Sequence, residues 1–179
     1  MNAKGVVVWL TLAGAVGGLV IFGVTVFLTL YGGLWRMEAD ATPSWIESRI
    51  AKMALNASLA RRAPHLANPF PPSDSNLAAG MRIYRNNCAG CHGGANRKPA
   101  PFGLGFYPPA PQLVLHPTRR EEDQVFYLVR NGIRRTGMTA WSKIMSDDDV
   151  WRVVGFVSRI DSLPGPIDSA WRAPPAGKP

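Results

Sequence analysis

The sequence predicts an all-α chain, in which one apolar membrane helix precedes a small helical domain. Three observations predict it. Residues 5 to 35 contain no charged side chain. Beyond them, apolar residues recur at three- and four-residue spacing behind Ser and Thr caps, with no convincing strand alternation. The only two cysteines sit in "CAGCH" at 88–92, directly behind one of these helical patterns.

The organisation reads as an anchor over 1–35, a juxtamembrane amphipathic helix and Pro-rich linker over 36–74, a helical domain over 75–163 and a Pro-rich tail over 164–179. The uncharged run exceeds the roughly 20 apolar residues that span a bilayer. A secretory signal carries only about 7–15 apolar residues, so the run is read as a retained span, although "ADA" at 39–41 resembles a cleavage site. Trp9, Tyr31 and Trp35 mark the two interfaces. Gly14 and Gly18, with Ala13 and Gly17 beside them, would admit a second membrane helix.

Nineteen of the 20 Lys and Arg residues and all 12 acids follow the span, a formal surplus of +7 beyond it. Such a balance suits an acidic protein partner or an anionic membrane. No basic stretch is interleaved with aromatics, which argues against nucleic acid as a partner.

"TPSWIESRIAKMALNASLARR" (42–62) opens with Ser44 and Glu47 in capping-box positions, with Thr42-Pro43 as a rival start, and ends on Arg61 and Arg62. Ile46, Ile50, Met53, Ala57 and Ala60 line one face. That face fits the bilayer, a neighbouring protein or the chain's own domain. Four prolines in 63–74 make the next stretch a semi-rigid spacer.

Three helices follow. The first covers about 75–87, with Leu77, Gly80, Ile83 and Tyr84 on one side. The second covers about 119–130, capped by Thr118. The third covers about 147–160, starting at Ser146 with Asp149 in the capping-box place. The acidic runs 121–123 and 147–149 read as first-turn charges on helix dipoles rather than a calcium loop. Residues 93–117 read as a loop rich in proline and glycine.

A zinc site would need four ligands, and His65 and His116 are isolated beside prolines. A thioredoxin-type motif would need a βαβ setting, whereas C-x-x-C-H is the haem c attachment signature. Cys88 and Cys91 would bond the porphyrin and His92 would ligate iron. "NGIRRTGMTAW" (131–141) supplies Met138 as the second axial ligand, 46 residues after His92 and on a loop. Met145, Met81 and His116 are its rivals, Met81 being placed off the face that bears Ile83 and Tyr84.

With these residues in place, 75–163 resembles a class I cytochrome c domain. The resemblance implies one covalent haem c on Cys88 and Cys91, with iron held by His92 and Met138. It implies that the first and last helices cross near Gly80 and Tyr84 and near Trp151 or Gly155. It also implies a proline carbonyl orienting His92, with Pro99, Pro101, Pro109 and Pro111 as candidates and Pro109 or Pro111 preferred. Thr139 stands where the family's methionine loop often has proline, which loosens that loop. Trp141 packs on the haem with its indole N–H toward a propionate, or serves the core. Arg134 reaches a propionate or stays in solvent.

The anchor and spacer resemble membrane-bound monohaem subunits and donors of bacterial respiratory complexes. The implied role is one-electron transfer, without catalysis of its own, by a subunit of a terminal oxidase or dehydrogenase. Residues 36 onward would face the periplasm from the bacterial cytoplasmic membrane. Lys4 against Arg36 gives weak positive-inside support. A free-swinging tethered carrier, or a sensor or enzyme with a labile Met138, are the competing readings. Arg130, Arg134, Arg135 and Lys143 around the Met138 loop would dock an acidic redox partner.

Overall fold

The computed structural model describes residues 2–34 and 37–174. Trp35, Arg36 and residues 175–179 of the tail lie outside them. Among the described residues every regular element is a helix, and there is no strand. They form two units, 1–41 and 42–179.

The first unit is α1, Ala3–Tyr31, capped by Asn2, whose Oδ1 accepts from Gly5 N at 3.0 Å. At about 1.5 Å per residue, α1 exceeds the roughly 30 Å of a hydrocarbon core. It is long and apolar enough to cross a membrane. Its threonine hydroxyls are satisfied internally, since Thr11, Thr25 and Thr29 each donate to a carbonyl one turn back.

The second unit begins with α2, Trp45–Arg62. Ser44 is its cap and accepts from Glu47 N at 3.2 Å. The Glu47 carboxylate lies at the Tyr107 hydroxyl, and this hydrogen bond holds the phenol above its usual pKa. Leu59 and the following Ala63 are buried, and Arg120 Nη2 donates to Asn56 at 2.8 Å. One side of α2 therefore packs on the chain's own domain, while Ile46, Ile50 and Met53 on the other side stay exposed.

The core is built by α3 (Asp74–Asn87) crossing α7 (Asp147–Val157), with α6 (Glu122–Asn131) against α7. A Cβ at Gly80 would run into the Arg152 carbonyl oxygen and meet Phe156 Cβ at 2.9 Å. Only glycine lets the two backbones approach this closely. The crossing thus falls at Arg152 and Phe156, one residue beyond each position expected. Trp151 instead stacks on Phe126 of α6 at 4.0 Å, and Gly155 faces Asn68 of the spacer. Asn68 Nδ2 donates to both Trp151 O and Glu122 Oε2, tying the spacer to the core.

Other expectations need correction. Met81 is buried in the same core as Tyr84, since Leu77, Gly80, Met81 and Tyr84 fall at i, i+3, i+4 and i+7 on one face of α3, which the half-buried Ile83 only borders. Thr118 is not the cap of α6. Its hydroxyl accepts from Arg120 N, and the helix begins at Glu122 behind Glu121. The last core helix ends at Val157 rather than 160, although Ile160 remains buried. Residues read as a Pro-rich tail contain α8, Gly165–Arg172, with Pro166 in its first turn. Ile167 and Trp171 sink into the core, and this apolar pair at i, i+4 is the amphipathic signal that the flanking prolines obscured.

The acidic runs behave as helix starts. Ser146 caps α7 by accepting from Asp149 N at 3.2 Å, and Asp147 pairs with Arg130 at 2.8 Å.

Candidate functional site

Two short segments join α3 to α6. Cys88 ends α3 and opens α4, Ala89–His92. His92 N and Cys91 N both donate to Cys88 O, at 2.9 and 3.1 Å, so the two thiols and the imidazole share one helical turn. The cysteines are free thiols. Burial, and then the neighbouring Cys91, push the Cys88 thiol up to about 12. A reactive thiol has a lowered pKa, and that of Cys88 is shifted the other way. Among the described residues no three His, Cys, Asp or Glu side chains gather as a metal cluster.

His92 is held from three directions. Its Nδ1 lies 2.8 Å from the carbonyl oxygen of Pro111. A carbonyl only accepts, so Nδ1 carries the proton and Nε2 keeps its lone pair for a metal. Its own carbonyl accepts from Leu113 N at 2.9 Å and from the Tyr84 hydroxyl at 3.2 Å. The Tyr84 hydroxyl also reaches Gly93 O at 2.9 Å, and burial raises its pKa far above the ordinary phenol value. Of the prolines that compete to orient the histidine, Pro111 makes the bond. Pro109 sits two residues upstream and is exposed.

No motif or periodicity in the sequence singles out Gln112. It is buried, with Oε1 accepting from Ala100 N at 2.7 Å. Its Nε2 donates to Cys91 O and Ala110 O, each at 2.9 Å. One side chain thus ties the haem-motif turn to both ends of the segment that presents the Pro111 carbonyl. A lone glutamine in a proline-rich stretch has no periodicity to announce it.

The Met138 loop leaves α6 at Gly132, whose φ of 68° favours glycine. Ile133 N donates to Met138 O at 3.0 Å. The Thr136 hydroxyl donates to Ile133 O at 2.8 Å and accepts from Met138 N at 3.0 Å. These bonds supply the restraint that Thr139 does not. Gly137 lies against the Phe106 ring, which itself meets Phe102 edge-on at 5.0 Å. The loop carrying Met138 therefore touches the segment that follows the cysteine motif. Phe102 and Leu104, on α5 (Pro101–Leu104), and Ile144, just beyond Met138, are exposed large apolar side chains.

Of the remaining candidates, Trp141 is half-buried at the start of a 3-10 turn, Trp141–Lys143, and its carbonyl accepts from Ile144 N and Met145 N. Arg134 is exposed, while Met145 packs against the core. His116 is exposed, and His65 lies 3.8 Å from Asp123.

Two thiols and a metal-ready imidazole on one turn, with uncovered apolar side chains on the bordering segments, fit a covalently held porphyrin. This defines a c-type haem domain. Residues 75–157 match the family model described as cytochrome c oxidase, cbb3-type, subunit III, and this part of the chain belongs to the class I cytochromes c, which carry haem c covalently. Its chemistry is electron transfer. No curated protein matches the chain. Among solved structures, a chain of the Kuenenia stuttgartiensis reducing HAO-like protein complex is 23% identical, with a TM-score of 0.44. The match covers 54% of this chain and 50% of that one.

Proposed function

We propose that the protein is a single-pass, membrane-anchored one-electron carrier that works as a subunit of a bacterial respiratory complex, a terminal oxidase or a dehydrogenase. Its haem domain faces the periplasm. Cys88 and Cys91 hold the haem, and His92 and Met138 ligate the iron. The bond from His92 Nδ1 to the Pro111 carbonyl is the observation that carries the reading, since it prepares Nε2 for iron on a turn that also bears both thiols. When bound, the haem supplies a one-electron ferric/ferrous couple. The chain's residues fix the imidazole tautomer, hold the Met138 loop and offer a charged approach for a partner.

The oxidase side of the proposal is supported by the family model, whose description is that of an oxidase subunit. Gly14, Gly17 and Gly18 lie open on α1 and would admit a neighbouring membrane helix. Arg134, Arg135 and Lys143 are exposed beside Met138 and suit an acidic redox partner, whereas Arg130 is engaged with Asp147.

The test is purification of the full chain in mild detergent, with the haem spectrum and the co-purifying subunits read on one sample. A covalent c-type band, unmoved by carbon monoxide and accompanied by redox subunits, is expected. Rapid carbon monoxide binding would instead make Met138 a labile ligand and the protein a sensor or enzyme. A c-type band with no co-purifying subunit would leave a free tethered carrier.

A further inference from the structure

The two long sides of α2 are used differently. One side, with Leu59 buried and Ser48, Leu55 and Ser58 half-buried, rests on the domain. Opposite it, Ile46, Ile50 and Met53 are 51%, 61% and 63% exposed, and Ala57 and Ala60 continue the stripe by one more turn. The spacing of four, three, four and three residues keeps all five on one face. Trp45, also exposed, is the first residue of α2.

Charge selects the occupant. Arg49 borders the stripe on one flank and Arg61 on the other, both exposed. The sole acid in α2, Glu47, is engaged with the Tyr107 hydroxyl. An apolar stripe between basic flanks, headed by tryptophan, is the pattern of a helix lying in an anionic lipid interface, with the long basic stems reaching up to phosphates. Reach agrees. Only residues 32–44 separate α1 from α2, and fully extended they span at most about 45 Å.

We infer that the Ile46–Ile50–Met53 face of α2 lies in the headgroup region of an anionic bilayer, so that the helix is clasped between lipid and the haem domain. The inference rests on α1 being a membrane span. Its consequence is a domain with a fixed tilt on the membrane rather than one swinging on its spacer, because the other side of α2 is already tied to the domain through Asn56–Arg120 and Leu59.

The experiment uses the full haem-loaded chain in vesicles of phosphatidylglycerol and phosphatidylethanolamine, with a benzophenone photocross-linker introduced as Ile50→p-benzoylphenylalanine. Phospholipid adducts, read by mass spectrometry, are expected at position 50 and several-fold fewer from Ala51→p-benzoylphenylalanine, about 100° round the helix. Adding Arg49→Glu and Arg61→Glu, or using phosphatidylcholine alone, lowers the yield at position 50 by about tenfold. The same probe in place of Val20 reports the span itself. Lipid adducts at 20 without any at 50 overturn the inference and leave the anchor standing. No adduct at 20 removes the anchor and, with it, the inference. A protein adduct at 50 in native membranes, in place of lipid, also overturns it and makes the face a subunit contact.

Discussion

The Nδ1 atom of His92 lies 2.8 Å from the Pro111 carbonyl oxygen, and the two residues are nineteen positions apart. Such a bond raises the basicity of the metal-facing nitrogen and favours the ferric state. In Pro111→Ala the carbonyl remains, but the φ that aims it is freed. Weakening the bond by about 0.5–1.5 kcal/mol corresponds to roughly 20–60 mV for one electron. The reduction potential should therefore rise by that amount in a spectroelectrochemical titration. An unchanged or lowered potential would mean that this bond does not tune the iron.

Met138 is the proposed second axial ligand, held by Ile133 and Thr136. Met138→Ala should keep the haem covalently bound, lose the sulfur-ligated spectrum and lower the potential, since thioether ligation raises it. Absorption spectra of the oxidised protein check the ligand, and denaturing gels stained for haem check attachment. A sulfur-ligated spectrum that survives the change would assign the position to another residue.

Gly80 decides how closely α3 and α7 pack. Its added Cβ in Gly80→Ala would strike the Arg152 carbonyl, which belongs to a helical backbone and cannot turn aside. Overpacking of this kind costs about 1–3 kcal/mol. The denaturant midpoint of the haem-loaded protein should fall accordingly, with little change in m-value. A midpoint equal to that of the parent would show that the helices are further apart than described.

Arg134 and Arg135 are exposed on the loop before Met138. Reversing both charges should slow electron transfer with an acidic partner by about tenfold or more at low ionic strength, the difference shrinking as salt rises past the screening range. Stopped-flow rates measured across a salt series provide the check. Equal rates and an equal salt slope would remove these residues from the docking surface.

The site was legible in the sequence where chemistry imposes spacing. Cys88, Cys91 and His92 must share a turn, and they do. Helix starts were legible where a hydroxyl cap precedes the helix, as at Ser44 and Ser146. They were misplaced where the hydroxyl bonded elsewhere, as at Thr118. What stayed hidden depends on tertiary neighbours. Nothing local distinguishes the carbonyl of Pro111 from that of Pro109, and the role of Gln112 exists only once three chain segments meet around it. Met81, by contrast, was legible, because it stands four residues after Leu77 on the face of Gly80 and Tyr84, and only the inclusion of Ile83 in that face displaced it.

The helix hidden in the proline-rich end gives the last prediction. Trp171 is buried, and its ring meets Phe156 at 5.2 Å and Tyr84 at 5.7 Å, both edge-on. Arg85 lies over the same ring at 5.3 Å and donates to the carbonyls of Ala170, Trp171 and Ala173, closing the end of α8. Trp171→Ala removes a side chain that fills the space beside the α3–α7 crossing, and such truncations cost about 3–5 kcal/mol. That is a large share of the roughly 5–15 kcal/mol available to a domain. Trp171→Phe keeps an aromatic edge for both neighbours and should recover most of the loss. Chemical unfolding of the haem-loaded protein measures both variants. A loss below about 0.5 kcal/mol for Trp171→Ala, the range of ordinary surface changes, would mean that α8 does not brace the core. Because the Tyr84 hydroxyl holds the His92 carbonyl, the alanine variant should also shift the reduction potential, whereas a change confined to the chain end would leave it untouched.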